Sequence, residues 1–239
     1  MKKNIIVTLA LGAVLTVAFT ACERDIKETD ANRPAIVSKS FVEEFDDFNT
    51  LGARGWVFIN NSEPLGSQGW RQGKYEVRFD SKNGQVIDGF PAYSSQKSQN
   101  DFVSADLNCG FDVSTLNAWL ITPVVPIKNG DEFSFYTRCR GDFPDRLQVR
   151  ANLTTGTANV GSLSTDVGDF TTTWLDINPG LTLSGYPTTW TKYTITIAGL
   201  PTNTTVSSRI AFRYFVPTGG PAGANSDMVG VDLVEFKSK

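Results

Sequence analysis

The stretch WLITPVVPIKNGDEFSFYTRC, residues 119–139, decides the fold class of this chain. It begins with a largely apolar run, turns at Asn129-Gly130, and then alternates Phe133 and Phe135 with polar residues. Alternation with a period of two is typical of a β-strand that buries one face. Asn-Gly between two such segments favours a β-hairpin, because both turn residues need positive φ. The stretch therefore predicts two strands joined by a hairpin.

The same period of two recurs along the rest of the chain. The alternating apolar residues are Tyr75, Val77 and Phe79; Leu147, Val149 and Ala151; Tyr193, Ile195 and Ile197; and Ile210, Phe212 and Tyr214. A last strand is predicted over Met228–Phe236, and Asn83-Gly84 predicts a second hairpin. Turn-rich stretches separate these strands without helical patterns between them. The sequence thus predicts an all-β, jelly-roll-like antiparallel β-sandwich in a single domain.

Composition excludes several classes of function. The chain has 239 residues, no histidine and three cysteines, which excludes Ser-His-Asp catalysis, Cys-His catalysis and histidine-ligated zinc. Its 22 basic and 25 acidic side chains give a net charge of −3, so no basic surface for nucleic acid is expected. Two carboxylates would suffice for a glycoside hydrolase, but no pattern marks an acid of raised pKa. We therefore predict that the protein is not an enzyme.

The N-terminus has the features of a secretory signal. Lys2 and Lys3 precede an apolar run over residues 5–19, and small residues lead to Cys22. The tetrapeptide Phe19-Thr20-Ala21-Cys22 resembles a bacterial lipobox, in which the cysteine is diacylated and becomes the new N-terminus. We predict a lipoprotein signal peptide over residues 1–21 and lipidation of Cys22. The alternative is an ordinary signal peptide followed by an incidental cysteine.

The segment after Cys22 is polar, charged and poor in apolar side chains. This composition predicts a flexible tether over residues 22–35, followed by the folded domain over residues 36–239. Several acyl chains together would hold the tether firmly on a membrane, which is therefore the first expected partner.

Several short motifs resemble, in their order, the choice-of-anchor J and cleaved adhesin families of Bacteroidetes surface proteins. The matching segments are Glu43-Glu44-Phe45-Asp46, Gly55-Trp56, Trp70, Asn117 to Pro123, Phe133-Ser134-Phe135, Asp145 to Val149, Ala211 to Tyr214, and Val231 to Val234. The resemblance covers roughly residues 41–236. It implies a jelly-roll β-sandwich without general enzymatic activity, located on the outer membrane at the cell surface or on the periplasmic face.

The resemblance also implies a structural calcium ion between the first and last strands. In this chain Glu43 or Asp46 would hold the ion together with Asp232, completed by main-chain carbonyls; otherwise these acids are solvated edge charges. The families often carry alternating Asp and Gly in the first loop. This chain has Asn60-Asn61-Ser62-Glu63 there instead, so a calcium site in that loop is not carried over.

Aromatic residues with polar neighbours are candidates for ligand binding. A sugar ring stacks its apolar face on an exposed aromatic ring, while nearby polar groups bond its hydroxyls. The predicted ligand-binding residues are Trp70, Arg71, Tyr93, Trp174 and Tyr186. The alternative is that such rings belong to the core. Three tryptophans adjoin strand patterns, namely Trp56, Trp119 and Trp190, and we predict that two of them are core residues.

Two cysteines remain once Cys22 is assigned to the lipid. Outside the cytoplasm, Cys109 and Cys139 would form a disulfide, or they would stay as free buried thiols.

These observations together predict a non-catalytic, lipid-anchored surface module that binds an extracellular glycan or a host or matrix component. The alternatives are a structural protein that docks to another outer-membrane surface protein and, third, a glycoside hydrolase.

Overall fold

The computed structural model of the chain describes residues 40–82 and 84–239. The signal peptide predicted over residues 1–21, the lipidated Cys22, the tether over residues 22–35 and the turn residue Asn83 lie outside the described residues. Within the described residues, no helix is both long and apolar enough to cross a bilayer.

Fifteen strands and three short 3₁₀ turns make up the described secondary structure. The strands are β1 (Phe41–Glu43), β2 (Val57–Asn60), β3 (Glu63–Leu65), β4 (Arg71–Gln72), β5 (Tyr75–Asp80), β6 (Gly84–Gly89), β7 (Val103–Asp106), β8 (Gly110–Ile121), β9 (Val125–Ile127), β10 (Glu132–Cys139), β11 (Leu147–Asn152), β12 (Thr172–Ile177), β13 (Thr191–Thr196), β14 (Val206–Gly219) and β15 (Met228–Lys237). The 3₁₀ turns are Phe48–Thr50, Gly52–Arg54 and Leu107–Cys109.

Two large antiparallel sheets contain most of these strands. The six-stranded sheet has the order β13-β10-β15-β7-β4, with β1 beside β15. The seven-stranded sheet has the order β12-β11-β14-β8-β2, with β3 beside β8 and β9 beside β14. Four strands of one sheet are followed or preceded in the chain by the strand at the same position of the other sheet: β12 and β13, β10 and β11, β14 and β15, and β7 and β8. The chain therefore crosses repeatedly from one sheet to the other. The predicted jelly-roll-like antiparallel β-sandwich is confirmed.

Aromatic rings join the two sheets in the core. Phe133 and Phe135 of β10 lie fully buried, with ring centroids 5.8 and 4.9 Å from that of Phe212 on β14. The alternation predicted for β10 continues through Thr137 and Cys139, which are also buried. Burying these faces is the main gain that holds the sandwich together, since each large apolar side chain contributes about 1.5–3 kcal/mol.

A second, smaller core lies on the other face of the seven-stranded sheet. Trp119 of β8 packs there against Phe170, with ring centroids 5.5 Å apart, together with Ile121 and Ala211. Phe170 belongs to the long connection between β11 and β12. This connection therefore covers part of the outer face of the sheet, which explains why β8 and β14 are largely buried on both sides.

The hairpin predicted at Asn129-Gly130 is wrong. The strand before it, β9, pairs with β14 in the seven-stranded sheet, whereas β10 belongs to the six-stranded sheet. Gly130 does take positive φ (92°), but Asn129 bonds the main chain of Leu200 through Nδ2 (2.7 Å) and Oδ1 (3.0 Å). The turn is therefore fixed to the neighbouring connection and passes the chain between sheets. The hairpin predicted at Asn83-Gly84 is confirmed by the pairing of β5 with β6.

Two of the three tryptophans beside strands belong to the core, as predicted. Trp56 and Trp119 are buried, whereas Trp190 is partly buried against Phe90 and Phe102.

The predicted disulfide between Cys109 and Cys139 is wrong, because both cysteines are free and buried thiols. Burial raises the pKa of each thiol to about 12, so neither ionises readily to the reactive thiolate. These two residues act as small apolar side chains of the core.

A buried carboxyl group lies at one end of the core. Asp145 accepts hydrogen bonds through Oδ1 from the Tyr214 hydroxyl (2.5 Å) and from the Asp227 main-chain N–H (3.0 Å). Its other oxygen has no hydrogen-bond partner among the described residues. Burial raises the pKa of Asp145 from 3.8 to about 7, because the ionised form loses its hydration.

The raised pKa of Asp145 predicts how stability depends on pH. The folded chain binds this proton more tightly than the unfolded chain, so Asp145 favours folding most below about pH 4 and loses that contribution as the pH rises to about 7. We expect Asp145→Asn, which cannot ionise, to gain stability relative to the natural chain over this interval, by at most about 1.4 kcal/mol per pH unit. Denaturant unfolding between pH 4 and 8 measures the difference. Parallel pH profiles for the two proteins would contradict it.

Candidate functional site

Three adjoining cavities form a groove beside the edge strands β2 and β4. Their volumes are about 350, 390 and 310 Å³. Asn60 and Leu65 line both the first and the second cavity, and Gln68 lines both the second and the third. Ligand sites in proteins commonly have volumes of about 300–1,000 Å³. We call this continuous feature the rim groove.

The loop between β2 and β4 is held in place by Asn60. Its Nδ2 donates to the carbonyls of Gln68 (2.6 Å) and Cys109 (2.8 Å), and its Oδ1 accepts from the N–H (3.0 Å) and hydroxyl (2.6 Å) of Ser62. Gly66 adds a bond from its N–H to Cys109 O (3.0 Å), and a Cβ there would collide with the main chain before β8. The wall of the groove is therefore preformed.

The middle of the rim groove is apolar. The rings of Phe48 and Phe58 lie there with centroids 4.5 Å apart, and both pack from one side against the core. Trp70 lies beneath them and donates from Nε1 to Ala118 O at 3.2 Å. This arrangement provides an apolar floor of two rings, which are tilted by 46° to each other.

One end of the groove is lined by amide and hydroxyl groups. Asn61 donates from Nδ2 to Gly161 O (2.9 Å), and the Ser164 hydroxyl donates to Glu63 Oε2 (3.2 Å). Gly161 and Ser164 belong to the connection between β11 and β12, which thus closes this end. The end offers hydrogen-bond donors and acceptors with little charge.

The other end contains three carboxylates and three cationic side chains. They pair as Arg71 with Asp106, Lys74 with Asp88 at 2.6 Å, and Arg140 with Asp227 at 3.9 Å. The hydrogen bond from Lys74 lowers the pKa of Asp88, whereas burial raises the pKa of Asp227. Formal charges cancel, so this end is densely polar but has no net charge.

The structure brings two of the five predicted ligand residues into the rim groove. Arg71 lines its charged end, and Trp70 lines its middle. Trp174 lies on β12, where its ring is partly buried against the core.

Trp70 and Tyr186 require correction as stacking platforms. Only 4% of Trp70 and 3% of Tyr186 is exposed, so neither ring presents a face to solvent. The Trp70 indole is fixed by its hydrogen bond to Ala118 O, and the Tyr186 hydroxyl lies 2.7 Å from the Thr137 hydroxyl inside the core. Both rings stabilise the sandwich instead.

Tyr93 remains an exposed aromatic residue, outside the rim groove. It stacks on Tyr136 of β10 with centroids 3.6 Å apart and an interplanar angle of 15°, and the two hydroxyls lie 2.9 Å apart. Lys192 lies 5.8 Å from the centroid of the Tyr136 ring. With 45% of Tyr93 exposed, this pair is a second aromatic surface.

The predicted calcium ligands do not all meet. Glu43 is held by Arg54 at 3.0 Å and accepts from the Phe45 N–H at 3.0 Å, and burial raises its pKa. It is therefore satisfied by these partners. The described residues hold no group of three acidic, cysteine or histidine side chains arranged to bind a metal ion.

Asp232 and Asp46 lie beside the loop that contains Tyr93. Asp232 is fully buried and accepts from the N–H groups of Tyr93 (2.8 Å) and Ser94 (2.9 Å). Burial, reinforced by the charge of Glu44, raises the pKa of Asp232 to about 7. One buried oxygen of Glu44 and one of Asp46 have no hydrogen-bond partner within residues 40–82 and 84–239. Glu44, which the sequence did not single out as a ligand, thus takes the place predicted for Glu43.

The sequence did not predict the main residues of the rim groove. No sequence pattern singled out Phe48, Phe58 or Gln68. The available signal was Asn60, the first of four consecutive polar residues, because an asparagine with a serine two positions later favours a local side-chain turn.

Comparison with known proteins gives matches among solved structures. The chain is similar to the K1 cleaved adhesin domain of Lys-gingipain from Porphyromonas gingivalis, with 17% identity, a TM-score of 0.47, and coverage of 84% of this chain and 99% of that domain. The chain is also similar to the K3 domain of the same protein, with 19% identity, a TM-score of 0.47, and coverage of 83% of this chain and 98% of that domain. The resemblance to cleaved adhesin domains predicted from motif order is found here.

A carbohydrate-binding module, TmCBM61, determined in complex with beta-1,4-galactotriose, is also similar. It has 10% identity and a TM-score of 0.41, over 82% of this chain and 99% of the module. The chain matches no protein-family model and no curated protein sequence.

Proposed function

We propose that this protein is a non-catalytic surface module that binds an extracellular glycan in the rim groove. The supporting observation is the composition of the groove: an apolar floor at Phe48 and Phe58, one polar wall whose charges balance, and a second polar wall whose single charge is the carboxylate of Glu63. A sugar presents an apolar ring face and a rim of hydroxyls, each of which both donates and accepts. Such a ligand matches this lining better than a charged one does.

The balanced charges at the charged end of the rim groove favour a glycan over other classes of ligand. The charged end pairs each of its carboxylates with a cation, so it offers no excess positive charge to a phosphate backbone. The same pairing argues against proton transfer by Asp88, because the hydrogen bond from Lys74 lowers its pKa. Asp227 has a raised pKa and shares Arg140 with Asp142, which lies closer at 2.9 Å. Paired charges remain good partners for sugar hydroxyls, since charge-assisted hydrogen bonds are strong.

The hydrogen bonds of Asn60 already hold the wall of the rim groove in place, so a ligand would have little of this loop to order on binding. A preformed wall lowers the entropic cost of binding. Much of the groove is nevertheless open to solvent, so we expect modest affinity at each site.

The first prediction concerns Gln68, which is exposed where the apolar middle meets the charged end. We expect the full chain to bind a defined glycan on an array, and Gln68→Ala to weaken that binding by roughly 3–10-fold, the loss of about one hydrogen bond. Isothermal titration calorimetry with the best array ligand measures the change, and an assay of reducing ends is expected to show no cleavage.

Gln85→Ala is the matched control, because it removes an exposed glutamine of β6 outside the groove. Tyr93→Ala tests the second aromatic surface. If Tyr93→Ala abolishes binding and Gln68→Ala does not, the ligand lies on the Tyr93–Tyr136 pair. Binding unchanged by both variants would reject both surfaces, and a folded chain that binds no glycan would favour the docking alternative.

We also propose a structural calcium ion at Asp46 and Asp232, as the sequence predicts, with Glu44 as a further oxygen donor. Because the described residues hold no ready-made group of three metal ligands, the ion would have to draw these oxygens together and displace Lys97 from Asp46. The unpartnered buried oxygens of Glu44 and Asp46 and the raised pKa of Asp232 support it, since a bound divalent cation would satisfy these oxygens and favour their ionised forms. Main-chain carbonyls and water would complete the coordination. The ion would fix the β1 end of the sandwich rather than contact the glycan.

Chelation tests the calcium proposal. We expect EGTA to lower the melting temperature of the full chain, by about 2–4 °C for each kcal/mol of binding energy lost. Glu44→Gln is expected to remove this shift, whereas Glu63→Gln, an exposed acid elsewhere, keeps it. A midpoint that EGTA leaves unchanged removes the ion from the structure.

Finally, we propose that Cys22 is lipidated and holds the protein on the outer membrane. The supporting features are the basic start, the apolar run and the short motif that ends in Cys22. Mass spectrometry of protein from membranes is expected to find an acylated N-terminus at Cys22. We expect Cys22→Ser to lack the acyl mass, and an unmodified Cys22 within a longer chain would contradict the anchor.

A further inference from the structure

The hairpin of β5 and β6 is the most exposed apolar element of the described residues. It forms a two-stranded sheet of its own, with Val77 opposite Ile87 and Phe79 opposite Gln85. Phe79 is 84% exposed, and Val77 and Ile87 are also exposed. Exposed apolar side chains that lie next to one another on one face typically mark an interaction surface.

The two faces of the hairpin have opposite character. Side chains alternate along a strand, so Tyr75, Val77 and Phe79 of β5 share the apolar face, and Glu76 and Arg78 lie on the other. Glu76 is paired with Lys74 at 3.4 Å, an exposed ion pair that exchanges partners at little cost. A single hairpin is at best marginally stable in water, so a partner on it would add substantially to its stability.

The outer edge of β5 is open for strand pairing. Within residues 40–82 and 84–239, β5 pairs with β6 and with no other strand. The N–H of Tyr75 donates to Asn100 Oδ1 at 2.6 Å, so the open edge begins at Glu76. An open edge of this kind is a template for another strand.

We propose that β5 of one copy pairs with β5 of a second copy, antiparallel and with Val77 opposite Val77. This register places Glu76 of each copy opposite Arg78 of the other, which gives two symmetric ion pairs on the charged face. On the apolar face the two Val77 side chains meet, and the main-chain pairing ends before Tyr75, whose N–H is bonded to Asn100. The segment is thus complementary to itself in both charge and apolarity.

Neighbouring registers lack this complementarity. Centring the pair on Arg78 sets Arg78 opposite Arg78 and Glu76 opposite Asp80, so like charges meet on the same face. Centring it on Glu76 sets Glu76 opposite Glu76 and Lys74 opposite Arg78. Like charges directly opposite one another destabilise a sheet, and register therefore follows from the charge pattern.

The contact is small, and weak association is expected. One strand pair with its apolar face buries less than a standard stable interface, so monomer and dimer should exchange and dimer should increase with protein concentration. Sedimentation velocity of the full chain in mild detergent over a concentration series measures this equilibrium.

Charge reversal provides the decisive test. We expect Glu76→Arg alone and Arg78→Glu alone each to weaken dimerisation by at least about tenfold, because two like-charge pairs replace two ion pairs. Mixing the two single variants in equal amounts restores both ion pairs and is expected to restore dimer, as is the double variant. Lys82→Glu, a charge reversal at the turn, is the matched control and should dimerise like the natural chain.

A covalent readout is independent of affinity. Residues opposite one another in antiparallel strands lie about 4.5–5.5 Å apart at Cα, within disulfide range. Val77→Cys is therefore expected to give a reducible covalent dimer on air oxidation, whereas Lys82→Cys is expected to give no covalent dimer. A natural chain that is monomeric at every concentration, a mixture of single variants that does not dimerise, or a lack of cross-linking at Val77 would overturn the proposal. Capture of a different protein on this edge without self-association would overturn it too.

Discussion

The contact between Phe135 and Phe212 is the interaction on which the rest of the structure depends. Their rings meet at 4.9 Å between the two sheets, and the apolar faces of β10 and β14 are buried around them. Since neither sheet can hide its apolar face alone, each must cover the other. The chain accordingly crosses repeatedly between the sheets, for example from β7 to β8, from β10 to β11 and from β14 to β15.

This constraint explains where a ligand site is available. The interior is filled by large side chains, and part of the outer face of the seven-stranded sheet is covered by the connection that contains Phe170. Space remains beside the edge strands β2 and β4, where the loop clamped by Asn60 stands away from the core. The site thus lies where the sandwich ends at its edge strands. Its polar lining comes from the solvated loops that meet there.

The sequence predicts the structural features that depend on a local pattern. It fails for features whose contacting residues are distant in the chain. Alternation located β10, β11, β14 and β15, because burial of one face imposes a period of two. The hairpin prediction at Asn129-Gly130 is wrong. The chain does turn at these residues, but the Asn129 side chain bonds the main chain of Leu200. The prediction failed for Trp70 and Tyr186 because residues distant in the chain bury both rings, with Trp70 bonded to Ala118 and Tyr186 to Thr137. The groove is assembled from seven separate segments, and no local pattern encodes it.

The rim groove and the hairpin are physically connected at Lys74 and Asp88. These two residues form an ion pair at 2.6 Å that lines the charged end of the groove and also joins the base of β5 to the end of β6. Two copies paired through β5 would consequently carry two grooves in one assembly. A repeating ligand held by one groove would meet the second at high effective concentration, so avidity would exceed the modest affinity of each site. An open, shallow groove is adequate for attachment when it acts in pairs.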